Sequence, residues 1–381
     1  MHKTIGIFIA GCLFSQALSA QKAFQIRGDL QDTAYNGQKV TLGYYEGTSK
    51  VYKAAIIKDG KFVIDGNIAD PALASLSTST TAAARKVNPW VTGESCAFFM
   101  EGGEITLTGK TLAQAVVKSP GGSQQDYLAL KKQLKSFEDR QTKNFDEILK
   151  SAIARDTANV RKLNALKDGI KQQIDSVEVA YLTTHTASHV TLELIRQRVN
   201  AITLTKEKEK MQAWYKSLAA PLKATAIGRQ LSEQISTAFK LGPGNPSLDF
   251  TLNDTLGNPV TLSKYQGKYV LLDFWASWCM PCRAENPAVK KAYARFKDKG
   301  FEVIGVSLER PGDRKSWVDA IQKDGLPWIQ TSPLTVEERD HVTKMYGITS
   351  IPMNFLIDPK GKIIATYLRG DELMKKLEEI L

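Results

Sequence analysis

Two cysteines with C-x-x-C spacing stand immediately after an apolar run in the C-terminal half of the chain. Residues 269–275 predict a buried strand, and Cys279 and Cys282 fall where that strand passes into a helix. Cysteines three positions apart on a first helical turn lie on one face, close enough to form a disulfide. The free N–H groups and the dipole at that helix end favour the thiolate of Cys279. The pattern predicts thiol-disulfide exchange, with Cys279 as nucleophile and Cys282 as resolving thiol.

Two acidic residues near this pair are candidates for handling its protons. Asp273 interrupts the apolar run, where burial of an ionised carboxylate is costly and raises its pKa. It fits a general base that deprotonates Cys282, and the alternative is a strand-end aspartate that caps a backbone group. Glu285 follows Cys282 by one helical turn and shares its face. There it either raises the thiol pKa and relays protons or remains a solvated helix carboxylate.

A proline stands just before a predicted strand further along the chain. Pro352 precedes the run 354–357, although proline is rarely compatible with a central strand. A cis bond between Ile351 and Pro352 explains this position, because it leaves the preceding backbone open to an incoming peptide; a plain turn is the alternative. We expect the substrate to contact five residues around the cysteines and this proline: Trp278, Met280, Pro281, Ile351 and Pro352.

Half of a zinc site has the same spacing as this cysteine pair. Zinc needs two further ligands, and none of the three histidines after residue 20 stands at finger-like spacing from Cys282. His185 and His189 are four residues apart on a predicted helix, but two imidazoles without a nearby carboxylate are more typical of surface residues. We therefore expect no metal. The sequence shows no flavin or nicotinamide pattern, and we expect no organic cofactor.

The 381 residues exceed what one hydrophobic core usually organises, which predicts several domains. Residues 24–109 alternate in short runs separated by Asp-Gly and Asn-Gly turns, as antiparallel strands do. Gly- and Pro-rich stretches at 120–123 and 242–246 then enclose a segment with helical periodicity, after which strand and helix alternate. We predict a multi-domain chain with three folded parts: an antiparallel β-sandwich at 21–118, a helical region at 119–240 and an α/β domain at 242–381.

The formal net charge is +11, and most of it lies in the predicted helical region. Residues 121–241 hold 20 Lys and Arg residues and 13 Asp and Glu residues, a net charge of +7, whereas residues 242–381 carry +1. A basic segment attracts anionic lipid headgroups, so peripheral membrane association stays open beside a simple solvated helical face. No Lys/Arg block with interleaved aromatic residues is present, and we expect no nucleic-acid partner.

Residues 1–20 combine a basic start, an apolar segment and small residues before Gln21, the pattern of a cleaved secretory signal. We predict cleavage near Ala20 and a periplasmic or cell-envelope location. Lipid anchoring at Cys12 is the alternative, but the apolar segment continues beyond Cys12 where a lipoprotein becomes polar. Cys96 is then left over beside the paired cysteines, and its apolar surroundings in the sequence predict a buried small hydrophobe.

The C-terminal segment resembles the thioredoxin fold, and more closely its exported TlpA/ResA-like branch. The matching stretches are Gly267 to Cys279, Pro281 to Pro287, Ile351-Pro352 with Phe355 to Asp358, and Gly361-Lys362. The resemblance implies an α/β thioredoxin fold and the following site residues: Cys279 as attacking thiol, Cys282 as resolving thiol, Pro352 as cis-proline, Asp273 as the buried aspartate and Glu285 as the motif glutamate. Met280 differs from the residues that are usual in the family at this position, and in the family this position tunes the redox potential.

The N-terminal segment is similar to a small β domain of unknown function found ahead of such domains in exported proteins, most visibly in Glu101 to Leu107. Together these features predict an exported thiol-disulfide oxidoreductase that reduces protein disulfides. Its electrons are then expected from a membrane or periplasmic protein dithiol. Two alternatives remain open: a binding or scaffold protein with a secondary redox domain, and a thiol peroxidase.

Overall fold

The structure is a computed structural model that describes residues 21–47, 49–79, 93–310 and 312–381. The predicted signal at 1–20, together with Cys12, lies outside the described residues. The chain divides into two compact units whose boundary in the sequence falls between Ile170 and Lys171. Among the described residues, no helix combines the length and the apolar character needed to cross a membrane.

Eight strands in the described part of the first unit form two four-stranded sheets. They are β1 (Lys22–Leu30), β2 (Lys39–Glu46), β3 (Ser49–Ile56), β4 (Lys61–Ile68), β5 (Ala72–Thr78), β6 (Ser95–Met100), β7 (Gly103–Gly109) and β8 (Val116–Lys118). The sheet orders are β4-β1-β7-β8 and β3-β2-β5-β6. Alternate side chains of both sheets enter one core, as Val40, Leu42 and Tyr44 do on β2. The predicted β-sandwich is confirmed.

One strand pairing in the sandwich is parallel rather than antiparallel. β1 pairs antiparallel with β4 and parallel with β7, where Ile26 lies opposite Ile105. A long stretch of chain separates β1 from β7, and such a connection permits the parallel pairing that a hairpin forbids. Alternation in a sequence indicates which face a side chain takes, but not the direction of the neighbouring strand.

Helices follow the sandwich, as predicted. Two long helices come first, α1 (Ser123–Ile153) and α2 (Thr157–Thr184), and Arg155 in the turn between them has a left-handed φ of 58°. Five shorter helices come next: α3 (His189–Arg198), α4 (Ala201–Lys206), α5 (Lys208–Ser217), α6 (Ala220–Ala224) and α7 (Ala226–Lys240). Side chains satisfy free N–H groups at several helix starts, including Ser188 on α3 and Asn200 in a capping box on α4.

A seven-stranded sheet in the order β10-β9-β13-β12-β11-β14-β15 forms the C-terminal domain. Its strands are β9 (Thr251–Asp254), β10 (Pro259–Thr261), β11 (Tyr269–Trp275), β12 (Phe301–Ser307), β13 (Ile329–Ser332), β14 (Met353–Ile357) and β15 (Ile363–Thr366). The accompanying helices are α8 (Met280–Phe296), α9 (Arg314–Asp324), α10 (Val336–Met345) and α11 (Asp371–Ile380). β11, β12 and β13 run parallel, and β14 and β15 run antiparallel to their neighbours. The predicted α/β thioredoxin fold is confirmed.

The sequence does not predict three of these strands, β9, β10 and β13. Each is only three or four residues long, too short to show a period-two pattern. β13 is also mostly polar, although Gln330, Thr331 and Ser332 are buried. The hydroxyl groups of Thr331 and Ser332 donate hydrogen bonds to carbonyl oxygens of β12, which makes their burial tolerable.

The side chains on the two faces of β11 pack into separate hydrophobic clusters. Val270, Leu272 and Phe274 pack into one hydrophobic cluster, whereas Leu271 and Trp275 pack into the other. The second cluster also contains both cysteines of the C-x-x-C pair. Because side chains alternate along a strand, residue 273 lies on the same face of the sheet as that pair.

Candidate active site

The two motif cysteines form a disulfide at the start of α8. Cys279 is the N-cap residue of that helix, and its Sγ accepts a 3.2 Å hydrogen bond from the backbone N–H of Cys282. The two Cα atoms are 5.3 Å apart, within the usual range for bridged cysteines. Both side chains are buried, with 5% and 3% of their surface exposed. Once the disulfide is reduced, the N–H groups of this helix end stabilise a thiolate.

Asp273 lies inside β11, between neighbouring strands on both sides rather than at a strand end. Only 7% of its surface is exposed. Burial raises the pKa of Asp273 from its ordinary value of 3.8 to about 6; the guanidinium of Arg369 opposes this rise and the carboxylate of Glu285 adds to it. A carboxyl group with such a pKa exchanges protons near neutrality, on the face of the sheet that holds the cysteine pair.

Glu285 is half-buried on α8 and has a structural partner. Its Oε2 accepts a 2.9 Å hydrogen bond from the backbone N–H of Gly370, in the segment that follows β15. It therefore differs from a freely solvated helix carboxylate, the alternative that the sequence leaves open. Its negative charge also acts on Asp273, so α8 contributes both sulfur and charge to the same site.

The five predicted substrate contacts divide into exposed and half-buried groups. Trp278 and Met280 expose 55% and 71% of their surfaces on either side of Cys279, and Pro281 is exposed beside them. The bond from Ile351 to Pro352 is cis, and both of these residues are half-buried. Ile351 packs against the hydrophobic cluster that contains the two cysteines. An apolar surface thus surrounds the disulfide.

Sequence reasoning misses a second buried carboxylate, Glu309, just after β12. Its Oε1 accepts hydrogen bonds from the Ser277 N–H at 2.6 Å and from the Ser307 hydroxyl at 2.8 Å. Its Oε2 accepts a third bond, 2.9 Å long, from the Ser277 hydroxyl. These bonds fix the turn that leads into Trp278 and Cys279. Its position just after a strand was the one signal in the sequence that could have found Glu309. Loops that follow adjacent parallel strands meet at one edge of a sheet.

Sequence reasoning also misses Arg369, which follows β15 in a loop without a motif. Within the part of the chain that the structure describes, its Nε and Nη2 atoms are shielded from solvent and have no hydrogen-bond partner. The guanidinium carbon lies 4.5 Å from the centre of the Tyr367 ring, as in a cation–π interaction. No periodicity or spacing in the sequence points to this residue.

Other residues that the sequence singled out have contacts of their own. The ring of His185 stacks on Tyr181 with 4.0 Å between ring centres. Throughout the described ranges, no group of three or more His, Cys, Asp or Glu side chains is arranged to hold a metal ion. Cys96 is a free, half-buried thiol that packs against the sandwich core, and burial raises its pKa.

Two family models match this chain, one in each half. The AhpC/TSA family matches residues 243–366, and a domain of unknown function, DUF4369, matches residues 24–128. The thiol-disulfide oxidoreductase ResA of Bacillus cereus is 30% identical over 158 residues, 41% of this chain and 87% of the relative. ResA of Geobacillus thermodenitrificans is 32% identical over 167 residues, 43% of this chain and 90% of the relative.

One solved structure, the thioredoxin domain of a thiol-disulfide oxidoreductase from Bacteroides vulgatus, is 41% identical in sequence to this chain. The match covers 36% of this chain and 97% of the chain in that structure, with a TM-score of 0.35. The fold and the sequence relatives define the class of enzyme, the thioredoxin-like thiol-disulfide oxidoreductases. Within that class, the chain belongs to the ResA-like family.

Proposed function

We propose that this protein is an exported enzyme that reduces disulfides in other proteins through Cys279 and Cys282. The observation that carries the proposal is a disulfide at a helix N-terminus with Asp273, a buried carboxyl group of raised pKa, on the same face of the sheet. The exposed side chains of Trp278 and Met280 supply an apolar surface for a protein substrate. Exchange between dithiols and disulfides needs no organic cofactor.

In the first step, the thiolate of reduced Cys279 attacks one sulfur of the substrate disulfide. A bond forms between Cys279 and that sulfur, and the substrate S–S bond breaks. The second substrate sulfur leaves as a thiolate and takes up a proton from solvent. The N–H groups at the start of α8 stabilise the attacking thiolate, and the product is a mixed disulfide.

In the second step, Cys282 releases the substrate. The carboxylate of Asp273 accepts the thiol proton of Cys282, for which a pKa of about 6 is well matched near neutrality. The Cys282 thiolate then attacks the Sγ of Cys279, so that the intramolecular disulfide forms and the mixed disulfide breaks. The departing substrate sulfur takes up a proton. The substrate has gained two electrons and two protons, and Asp273 returns its proton to solvent.

A second protein dithiol returns the enzyme to its reduced form. We assign this role to a membrane or periplasmic protein with paired thiols, because one round of exchange with such a pair transfers two electrons and two protons. In this scheme the chain has four parts: a signal at 1–20, a β-sandwich domain at 21–118, a helical region at 119–240 and the redox domain at 242–381. After export, the protein lies in the periplasm or cell envelope.

Insulin disulfide reduction by the purified protein, with dithiothreitol as electron source, tests the proposal. Cys279→Ser is expected to abolish turnover, and Cys96→Ser is the matched control because its thiol packs against the sandwich core and belongs to the other compact unit of the chain. In cells, Cys282→Ala is expected to stall at the mixed disulfide, so that mass spectrometry identifies the client. Full activity of Cys279→Ser, or no covalent adduct with Cys282→Ala, contradicts the proposal.

The match to the AhpC/TSA family favours one second candidate, a thiol peroxidase. In that reaction Cys279 is oxidised to a sulfenic acid, peroxide is reduced, and Cys282 condenses with the sulfenic acid to release water. Rates with hydrogen peroxide and with insulin, measured on one preparation, separate the two functions. Faster turnover of insulin supports the disulfide reductase, and faster turnover of peroxide supports the peroxidase.

Export has its own test. Mass spectrometry of the mature protein from its native cells is expected to find Gln21 as the first residue, after removal of a signal at 1–20. A mature chain that begins with a lipid-modified Cys12 replaces cleavage at Ala20 with anchoring. Recovery of the intact leader in a cytoplasmic fraction contradicts export altogether.

A further inference from the structure

The charge of a half-buried arginine, Arg369, acts on the carboxyl group that the proposed mechanism uses. The Nε and Nη2 atoms of Arg369 are shielded from solvent, and among the described residues they have no hydrogen-bond partner. The face of Tyr367 covers the guanidinium. Shielding two nitrogens of a charged guanidinium from water without giving them acceptors is costly, so its charge is expected to act on a nearby anion.

The sheet places the segment before Arg369 next to Asp273. Asn354 lies directly opposite Asp273 in the β11–β14 pair, so their side chains share one face. The Asn354 side chain holds both backbone groups of Leu368: it accepts from the N–H at 2.8 Å and donates to the carbonyl at 2.9 Å. Arg369 therefore directly follows Leu368, whose backbone is bound to the residue opposite Asp273 in the sheet.

A second contact fixes the other side of Arg369. Glu285 on α8 accepts a 2.9 Å hydrogen bond from the N–H of Gly370. The backbone of residue 369 is thus held between the sheet neighbour of Asp273 and the helix that carries the cysteines. Two independent hydrogen-bonded contacts, one on the residue before Arg369 and one on the residue after it, restrict where its guanidinium can lie.

We propose that Arg369 is a positioning residue for the resolution step, where its fixed positive charge keeps the carboxylate of Asp273 ready to accept the proton of Cys282. The inference rests on the proposed function and deepens it. Arginine suits this role because its guanidinium stays protonated at every pH at which an enzyme works. In a buried site of low dielectric, such a charge acts strongly on a neighbouring carboxyl group.

The charges that bear on Asp273 act in opposite directions. Arg369 lowers its pKa and Glu285 raises it, while burial raises it most. The residues directly opposite Asp273 in the sheet are uncharged: Asn354 on β14 and Gly305 on β12. The two cysteine sulfurs add negative charge only when they are reduced and ionised. Removal of the Arg369 charge should therefore raise the pKa of Asp273, and removal of the Glu285 charge should lower it.

Titration of the Asp273 carboxyl group by carbon-13 NMR, on the full chain in its oxidised form, tests the proposal. In Arg369→Met, which keeps an unbranched side chain over Tyr367, the midpoint is expected to move up by about one pH unit. Arg369→Lys is the matched control that keeps the charge, and it should move the midpoint much less. Glu285→Gln is expected to move it down. The acidic limb of the pH profile for release of a mixed disulfide should follow the same order.

An unchanged Asp273 midpoint in Arg369→Met overturns the proposal. Should the methionine variant not fold, Arg369→Gln repeats the test with a neutral polar side chain. The NMR measurement does not depend on turnover, so it tests the role of Arg369 separately from the proposed function. A shifted midpoint in a protein without reductase activity contradicts the proposed function, whereas an active reductase with an unmoved midpoint contradicts only the role of Arg369.

Discussion

A carboxyl group in the interior of a sheet makes the folded chain less stable as the pH rises. The pKa of Asp273 is about 6 in the fold, against an ordinary value of 3.8. Between these values the folded state holds a proton that the unfolded state has lost, so the free energy of unfolding falls with increasing pH. The shift corresponds to about 3 kcal/mol. Between pH 3.5 and pH 8, we expect the free energy of unfolding of Asp273→Asn to rise by up to that amount relative to that of wild type.

Urea denaturation of both proteins at the two pH values measures this difference. Asp298→Asn, at an exposed position of the same domain, is the matched control and should show no such trend. The same Asp273→Asn variant should slow release of the mixed disulfide, because it cannot accept the proton of Cys282. A stability difference between wild type and variant that is independent of pH argues against the raised pKa.

Residues that conflict with their local sequence could be singled out as candidate site residues from the sequence. Asp273 stands out in an apolar run and Pro352 stands out before a strand, so each conflict already pointed to a special environment. Glu309 and Arg369 produce no such conflict, because both stand in ordinary polar loops. Their roles depend on which strands are neighbours, and that information lies in the tertiary structure rather than in local pattern.

At the scale of elements, the turn between β11 and α8 depends on one carboxylate from another strand end. Glu309 accepts three hydrogen bonds from Ser277 and Ser307. Glu309→Ala is expected to lower the free energy of unfolding by about 3 kcal/mol, because buried donors lose their acceptor. It should also slow insulin reduction by roughly tenfold or more, since the turn no longer fixes Cys279.

Urea denaturation and single-turnover kinetics measure the two effects of Glu309→Ala. Ser307→Ala is the matched control, because it removes one of the three bonds and leaves both bonds to Ser277 in place. It should cost about 1 kcal/mol and leave the rate nearly unchanged. Equal losses of rate in the two variants contradict a specific role for the Ser277 turn.

The helix of the cysteines is also tied to α9. Arg283 donates two hydrogen bonds to Asp324, at 2.9 and 2.5 Å, and Asn286 donates a third at 2.9 Å. The bonds from Arg283 lower the pKa of Asp324, so the stability they contribute is present above pH 3.8 and is lost as the pH falls through the lowered value. Asp324→Asn should therefore be about 2 kcal/mol less stable than wild type at pH 7.

Thermal or urea unfolding at pH 7 and pH 2.5 measures the contribution of Asp324, which should shrink at the lower pH. Asp319→Asn, on the same helix, breaks an exposed ion pair with Lys315 and should change little, because exposed pairs contribute weakly. A loss in Asp324→Asn that is as large at pH 2.5 as at pH 7 identifies a packing effect instead of an ionic one.

Element type was predictable where the periodic segment was long. The strand at 269–275 has the same bounds in sequence and structure, and α8 begins at Met280, where the sequence predicts that the strand passes into a helix. β13 was not predictable, because its buried polar side chains read as loop until hydrogen bonds to β12 are known. The parallel pairing of β1 with β7 was equally hidden, because pairing direction depends on the path of the chain.

At the scale of the whole molecule, the last helices before the redox domain belong to its core. Leu241, just after α7, packs into the hydrophobic cluster beneath β11, and Ala201 of α4 packs against that cluster. Thr237 and Leu241 border the same recess as Ser350 and Met353, on either side of Ile351 and Pro352. The compact unit that begins at Lys171 is therefore expected to fold better alone than a fragment that begins at Gly242.

Fragments 171–381 and 242–381 test this expectation directly. The longer fragment should keep insulin reductase activity, and the shorter one should melt several degrees lower because it exposes the cluster around Leu241. Circular dichroism gives both melting temperatures. Identical melting curves argue that the redox domain begins, in energetic terms, at Gly242. The fold class of each region was predictable from the sequence pattern, but this dependence of the C-terminal core on the preceding helices was not.

The thiol in the sandwich gives the protein a built-in reference for its oxidation state. In the form of the protein that the proposed signal cleavage leaves, residues 21–381, one cysteine lies outside the C-x-x-C pair: Cys96, which is half-buried and has a raised pKa. An alkylating mass tag therefore adds one label, slowly, to the oxidised chain and three labels to the reduced chain. The ratio of singly to triply tagged molecules, sampled from living cells by acid quenching, reads the occupancy of each form without any antibody or added sensor.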